Sequence, residues 1–300
     1  MPWINLAMAK VAGFHIAQGD IVGLELKNPD VTYISCVFER NAPYAEKECK
    51  IAQIPWYCGG SGVKLTSFLP DEIEFCKPYY DIYPFWLTDK RCKASVGFTS
   101  RGCIRKCEFC IVPQKEGSFR RNQHIKEFYD ERFKKVILLD NNILADVDWF
   151  FENTNWIIDH KLKLNISQGM DIRLLTDEIA EQLHRIKFVD QQMRFAWDHI
   201  GMERTVERGI DILRSHKINV RRNVSFFVLS GFHRPGEEPE PFCKDLYRCN
   251  KLKEFGVMPY VMPYNDGTPM IRALARWGNR RELFWTIPFY QYDRMPKVDI

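Results

Sequence analysis

From residue 94 onward, six apolar runs alternate with stretches of helical spacing. The runs lie at 94–99, 135–140, 162–167, 193–197, 224–230 and 258–264, and the helical stretches at 122–133, 146–160, 176–186, 203–216 and 240–255. The runs are continuous rather than alternating in polarity, which is how strands read when both faces of a sheet are covered. Parallel neighbours need a long crossover, and a helix supplies it, so the pattern predicts an α/β fold with a parallel sheet and right-handed connections. Six such units over residues 91–300 suit an incomplete (β/α)6 barrel better than the closed eight-fold form.

The first 90 residues read as a small, truncated, Rossmann-like α/β domain. Residues 5–18 carry Leu6, Ala9, Ala12 or Gly13, and Ile16 at helical spacing, and Gly19 is a helix stop before Asp20. Runs 21–26 and 31–38 read as strands, 45–52 as a short helix, and 54–58 as a third strand, followed by the flexible turn Gly59-Gly60-Ser61-Gly62. The polar stretch from Leu69, with Pro70, Pro78 and Pro84, reads as a linker crossing a surface. This places a domain boundary near residues 85–92, giving domains 1–90 and 91–300. No internal repeat or low-complexity tract is evident.

Composition narrows the class. With 45% hydrophobic and 27% charged residues among 300, the chain can bury a core and does not read as disordered. Most of the 14% aromatic content is accounted for by that core. A net charge of +4 permits a nucleic-acid partner without demanding one. Arg120-Arg121 and Arg221-Arg222 read as solvated turns or helix ends. No apolar stretch reaches the length of a membrane span, and the N-terminus lacks the pattern of a secretory signal, so a cytoplasmic location without membrane contact is expected. The ten cysteines are then expected as thiols, and a tight group of them as metal ligands.

Such a group follows the first of the six runs: Gly97-Phe98-Thr99-Ser100-Arg101-Gly102-Cys103-Ile104-Arg105-Lys106-Cys107-Glu108-Phe109-Cys110. Cys103, Cys107 and Cys110 form C-x3-C-x2-C, so a short loop can wrap three thiolates around one face of an iron–sulfur cubane. Three ligands leave one iron open to chelate a substrate's amino and carboxylate groups. The loop leaves the C-terminal end of a parallel strand, where ligand sites of such folds collect. Gly102 lets the backbone bend sharply. Arg101, Arg105 and Lys106 either offset the cluster's negative charge or serve solubility. Zinc is the alternative, with Cys92 or His124 as a fourth ligand.

The C-x3-C-x-aromatic-C arrangement, with Phe109 as the aromatic, resembles the signature of the radical S-adenosylmethionine superfamily. The fuller string Thr99-Ser100-Arg101-Gly102-Cys103 is similar to the subgroup with an N-terminal cobalamin-binding-type domain and to the related methylthiotransferases. The resemblance implies a [4Fe–4S] cluster on Cys103, Cys107 and Cys110 whose open iron binds S-adenosylmethionine. It implies reductive cleavage to a 5′-deoxyadenosyl radical, hydrogen abstraction from a substrate, and an electron donor such as flavodoxin or ferredoxin.

Other cofactor-side positions follow from the same resemblance. The second strand ends in Asp140-Asn141-Asn142 where the family carries a Gly-Gly-Glu form; these polar groups either meet the cofactor's ammonium or cap the next helix. After the third strand come Gln168, Asp171 and Arg173, the arginine either pairing with the methionyl carboxylate or forming an ion pair with Asp171 or Asp177. His199 in Trp197-Asp198-His199 is an active-site or a structural histidine. Ser230 and Gly231, before Phe232, resemble the adenine-side strand, and Tyr264 and Asn265 are substrate-side groups or strand exits.

The sequence also departs from the subgroup. An Asp-x-His-x-x-Gly motif is absent, His15 lies in a helical stretch, and the first strand of such a domain is not read, so cobalamin with a protein histidine on cobalt is not expected. Cys36, Cys49, Cys58, Cys76 and Cys92 read as scattered, and Cys243 and Cys249 do not share a helix face well, so no second cluster is expected and methylthiotransfer is disfavoured. The substrate is unassigned: a nucleic-acid base or tRNA, or a small metabolite or peptide side chain. The rival class is a non-enzymatic zinc- or cluster-bearing binding module.

Overall fold

The protein is described by a computed structural model covering residues 3–51, 54–233, 241–265 and 267–292. Residues 52 and 240, the last and first of two expected helices, lie outside these. The chain divides into two compact units, Met1–Arg105 with Ile111–Leu139, and Lys106–Cys110 with Asp140–Ile300.

In the first unit, α1 (Leu6–Ala17) starts at Asn5, whose side chain accepts the Met8 N–H at 3.2 Å. β1 (Thr32–Ser35), α2 (Ala42–Ile51) and β2 (Trp56–Gly59) make a β-α-β unit, with β1 parallel to β2 and Thr32 opposite Trp56. The strand expected at 21–26 does not form: Ile21 is 88% exposed and Glu25 is left-handed at φ 58°. An apolar run with no neighbour to pair has no reason to stay extended.

The proline-rich stretch carries α3 (Asp71–Glu74) and α4 (Pro84–Thr88), and it is core rather than surface linker. Tyr80 and Trp86 are fully buried with Ala9, Ala94, Val96, Phe133 and Ile137. The Trp86 indole N–H donates to the Ala94 carbonyl at 2.9 Å, and the Tyr80 hydroxyl accepts the Val96 N–H at 2.7 Å. Each ring contributes about 1.5–3 kcal/mol by burial, which outweighs the turn preference of the prolines around it.

The unit continues through β3 (Ser95–Gly97), β4 (Ser100–Arg101), α5 (Val112–Lys115), β5 (Arg120–Arg121), α6 (Ile125–Phe128) and β6 (Lys135–Leu138). β3 and β6 are parallel, Ser95 opposite Val136, while β4 and β5 are antiparallel, Ser100 opposite Arg121. Arg120-Arg121 is therefore a short exposed strand, not a turn or helix end. The helix expected over 122–133 shrinks to α6. Tyr129 turns extended, and the Asp130 N–H donates to Ser95 Oγ at 2.9 Å, which ties the chain to β3 instead of to another helical turn.

The second unit contains α7 (Val147–Asp159), β7 (Lys163–Ile166), α8 (Asp177–Arg185), β8 (Lys187–Phe188), β9 (Met193–Ala196), α9 (Glu203–Ser215), α10 (Val220–Asn223), β10 (Val224–Ser230), α11 (Phe242–Glu254), β11 (Met258–Pro263), α12 (Pro269–Gly278) and α13 (Arg281–Thr286). β9, β10 and β11 form one parallel sheet with β10 central, and β7 is parallel to β8. A bridge between Met170 and Phe195 joins the chain leaving β7 to β9. Asp146, Thr176 and Thr268 cap α7, α8 and α12 through their side chains. Phe195, Trp197, Phe226, Trp277 and Phe284 are completely buried. The fold is α/β with parallel sheets, and the strands and helices alternate as the apolar pattern requires.

Candidate cofactor site

In the first unit, β3 leads into a tightly held loop. Thr99 and Ser100 are buried. The Arg101 guanidinium lies 3.9 Å from the centre of the Phe98 ring and 3.5 Å from Glu116, so its charge already has a carboxylate beside it. Glu116 also accepts the Gly102 N–H at 3.0 Å. Gly102 has φ 73°, and a Cβ there would lie 2.2 Å from the Ser118 carbonyl oxygen, so no larger residue fits the bend. The Cys103 N–H donates to the Gly117 carbonyl, and Cys103 Sγ accepts the Arg105 N–H, both at 3.3 Å.

In the second unit, the Cys110 N–H donates to the Cys107 carbonyl at 3.0 Å, closing a turn. Phe109 meets Phe232 edge-on with ring centres 5.6 Å apart, and Phe232 meets Tyr264 in the same way at 5.0 Å. The Tyr264 N–H donates to the Ser230 carbonyl at 2.9 Å. The expected residues Phe109, Ser230, Gly231 and Tyr264 are thus brought together at the exits of β10 and β11. Ser230 Oγ is buried and has no hydrogen-bond partner among the described residues, which is costly unless another atom completes it. The Gly231 N–H donates to Asp245 at 3.0 Å, and Asp245 pairs with Arg248. Arg248 in turn donates to the Trp197 and Leu229 carbonyls, so a buried ion pair fixes the ends of β9 and β10.

Arg173 bonds Asp171 at 2.6 Å, so the expected internal ion pair forms with Asp171, while Asp177 meets His216. Burial works against the Arg173 charge, but Asp171, Cys107 and Asp198 outweigh it and hold the guanidinium above its ordinary range. Cys107 therefore sits within electrostatic reach of Arg173. Asp140 and Asn142 are buried, Asn141 is half-buried, and Gln168 and His199 are exposed.

Asp198 is the residue that sequence reasoning passed over in favour of its neighbour. Burial pushes its carboxyl above the usual range, against the pull of Arg248 and Arg173. A raised carboxyl at a strand exit marks functional sites. The only signal in the sequence was its place after an apolar run.

The donor chemistry suits an iron–sulfur cluster: three half-buried cysteines within eight residues, on a loop whose bend only glycine permits. Among the described residues no three His, Cys, Asp or Glu side chains are gathered closely enough to hold a metal ion. The two candidate fourth zinc ligands have structural roles. Cys92 lies in the apolar core with Trp86 and Ala94, and His124 Nδ1 caps α6 by accepting the Lys126 N–H at 3.1 Å.

The leader cysteines are less scattered than expected. Burial first, then a hydrogen bond with Cys49 and the proximity of Cys36, push the Cys58 thiol up to about 11.

No family model matches the chain. A "CDK5RAP1-like protein" of Oryza sativa subsp. japonica is 23% identical over 192 residues, which is 57% of this chain and 31% of that protein. The solved structure of a radical S-adenosylmethionine methyltransferase, TsrM, from Kitasatospora setae, with cobalamin and a [4Fe–4S] cluster bound, is similar with a TM-score of 0.56 at 11% identity, over 79% of this chain and 64% of that one. The chain spans about a third of the curated relative's length and under two thirds of the solved one's. Among the described residues no helix is long and apolar enough to cross a membrane. In its cysteine motif and in its fold, the chain resembles the radical S-adenosylmethionine superfamily.

Proposed function

We propose that the chain is a radical S-adenosylmethionine enzyme that holds a [4Fe–4S] cluster on Cys103, Cys107 and Cys110. The observation that carries this reading is the half-buried C-x3-C-x2-C loop that follows the parallel strand β3 and the short β4, in a chain whose fold is similar to that of the solved TsrM structure. When bound, the cluster supplies the electron that splits S-adenosylmethionine into methionine and a 5′-deoxyadenosyl radical, which takes a hydrogen atom from the substrate.

The chain's own residues prepare the place. Arg173, oriented by its pair with Asp171, offers a cation to a carboxylate. Phe109, Phe232 and Tyr264 form an apolar wall that keeps water from a reactive intermediate. Ser230 Oγ and the Gly231 carbonyl offer polar contacts to a nucleoside, and Asp140, Asn141 and Asn142 offer acceptors to an ammonium. Part of this reading is that residues 91–300 form a partial barrel behind a truncated Rossmann-like domain of 1–90. Flavodoxin or ferredoxin is the expected class of electron donor. Cobalamin with a histidine on cobalt is not part of the reading, since the Asp-x-His-x-x-Gly motif is absent from the sequence; the TsrM structure makes the corrin itself worth testing. The substrate is a nucleic-acid base or tRNA, or a small metabolite or peptide.

The test is anaerobic reconstitution with iron and sulfide. Cluster absorption, about four irons per chain and 5′-deoxyadenosine formation with dithionite are expected. Each of Cys103→Ala, Cys107→Ala and Cys110→Ala is expected to lose the absorption band and the 5′-deoxyadenosine. A colourless protein that takes up zinc instead would overturn the reading in favour of a binding module.

A further inference from the structure

Where β7, β8 and β9 begin, the second unit carries two adjoining grooves. One, of about 670 Å³, is lined by Arg221, Arg222 and Arg281 with Asp190. The other, of about 370 Å³, is lined by Lys163, Lys187 and Lys217. Gln191 and Asn219 line both, so the grooves share a rim. Six lysines and arginines thus face one carboxylate, Asp190, which itself lies within electrostatic reach of Arg194. This local surplus exceeds the +4 that the whole chain nets.

Taken alone, Arg221-Arg222 is a solvated helix end, and α10 does expose both side chains. Their surroundings go further. The Arg221 guanidinium lies 4.3 Å from the centre of the Trp285 ring, and Arg281 donates to the Arg221 carbonyl at 3.0 Å. The Gln192 amide donates to the Arg222 carbonyl at 2.7 Å, and the Asn223 amide to the Gln191 carbonyl at 2.9 Å. The groove backbone is therefore pinned, which lowers the entropy lost when a ligand orders the side chains. Asp190 and Gln191 are both left-handed, at φ 55° and 57°. Such strain persists where the surrounding structure over-determines it.

We infer that this face docks the phosphodiester backbone of a nucleic acid. Guanidinium groups pair with phosphate oxygens in a fork, lysines add point charges, and side-chain amides such as those of Gln191 and Asn219 are ordinary donors to phosphate and sugar. Two grooves in series suit an extended polyanion better than a single small anion. A membrane surface fits less well. The exposed large apolar residues of this unit, such as Tyr247, Tyr260 and Tyr290, line neither groove, so nothing is poised to enter a bilayer. The inference uses no cysteine and no strand-exit residue, so it stands apart from the proposed cofactor chemistry.

The test measures anisotropy of labelled single-stranded RNA and DNA oligonucleotides with the full chain over a range of salt concentrations. Arg221→Glu with Arg222→Glu is expected to weaken binding at least about tenfold and to make the salt slope shallower by about 1 to 1.5. Lys163→Gln with Lys187→Gln, in the other groove, is expected to weaken it in the same direction and decides the matter if the arginine variant misfolds. Arg204→Glu with Arg208→Glu on α9, outside both grooves, is the control and is expected to bind nearly as the wild type does. Stronger binding of RNA than DNA, or the reverse, supports the inference and names the polymer. Unchanged affinity in both groove variants overturns it. So does binding of phosphatidylserine vesicles or polyglutamate in place of either oligonucleotide. Iron content after reconstitution is measured on the same variants, so a failed docking face is distinguished from a failed cluster assignment.

Discussion

At the scale of single residues, the informative feature is that charge is placed rather than scattered. Arg173 is fixed by Asp171 near Cys107, and Asp198 is left with a carboxyl pushed up by burial. An acid whose folded-state value lies above its unfolded one favours the folded state most when both are protonated. That stabilisation is present below the ordinary aspartate range and is lost as pH rises through the raised folded value. At neutral pH Asp198 therefore costs stability. Asp198→Asn is expected to raise the melting temperature at neutral pH by a few degrees. The gain should shrink toward zero as pH falls to the ordinary aspartate range, and 5′-deoxyadenosine formation should fall. A variant no more stable than wild type at neutral pH would show that burial is not what raises this group. Asp198 was not legible in the sequence, because its environment is assembled from Arg173 and Arg248, distant along the chain.

At the scale of elements, the same contrast between local pattern and distant partner decides what could be read. The six strands from β3 to β11 that lie in continuous apolar runs appear where the pattern places them, because each run carries enough apolar residues to bury at least one face. The run at 21–26 has equal apolar content but no partner strand, and it stays irregular. The stretch 122–133 has helical spacing, yet Ser95 of β3 captures the Asp130 N–H and ends the helix at Phe128. The proline-rich segment hid its burial because Tyr80 and Trp86 find their partners in Val96 and Ala94, across a turn that proline spacing alone does not reveal. Gly97 shows how close such packing is: a Cβ there would lie 2.7 Å from the Phe128 ring. Gly97→Ala must push α6 off β3, at a cost of about 1–3 kcal/mol. Urea unfolding should show a lower midpoint, and an unchanged midpoint would mean that α6 yields freely.

At the scale of the whole molecule, net charge and charge distribution give different predictions. With a net charge of +4 and a pI near 8.4, the chain as an average object is close to neutral at mildly alkaline pH and should not hold a polyanion. The two basic grooves predict otherwise. Lysine and arginine ordinarily remain charged at that pH, and interactions are felt only within a Debye length of about 10 Å at 0.1 M salt. A polyanion lying in the grooves therefore meets the local surplus of cations, not the balanced average. The wild-type protein is expected to be retained on immobilised heparin at pH 8.4, its own isoelectric value, and to elute with rising salt. Arg221→Glu with Arg222→Glu should pass through under the same conditions, while Arg204→Glu with Arg208→Glu, which makes the same change in net charge, should still be retained. If the two variants elute together, net charge governs the interaction and the grooves have no special part in it.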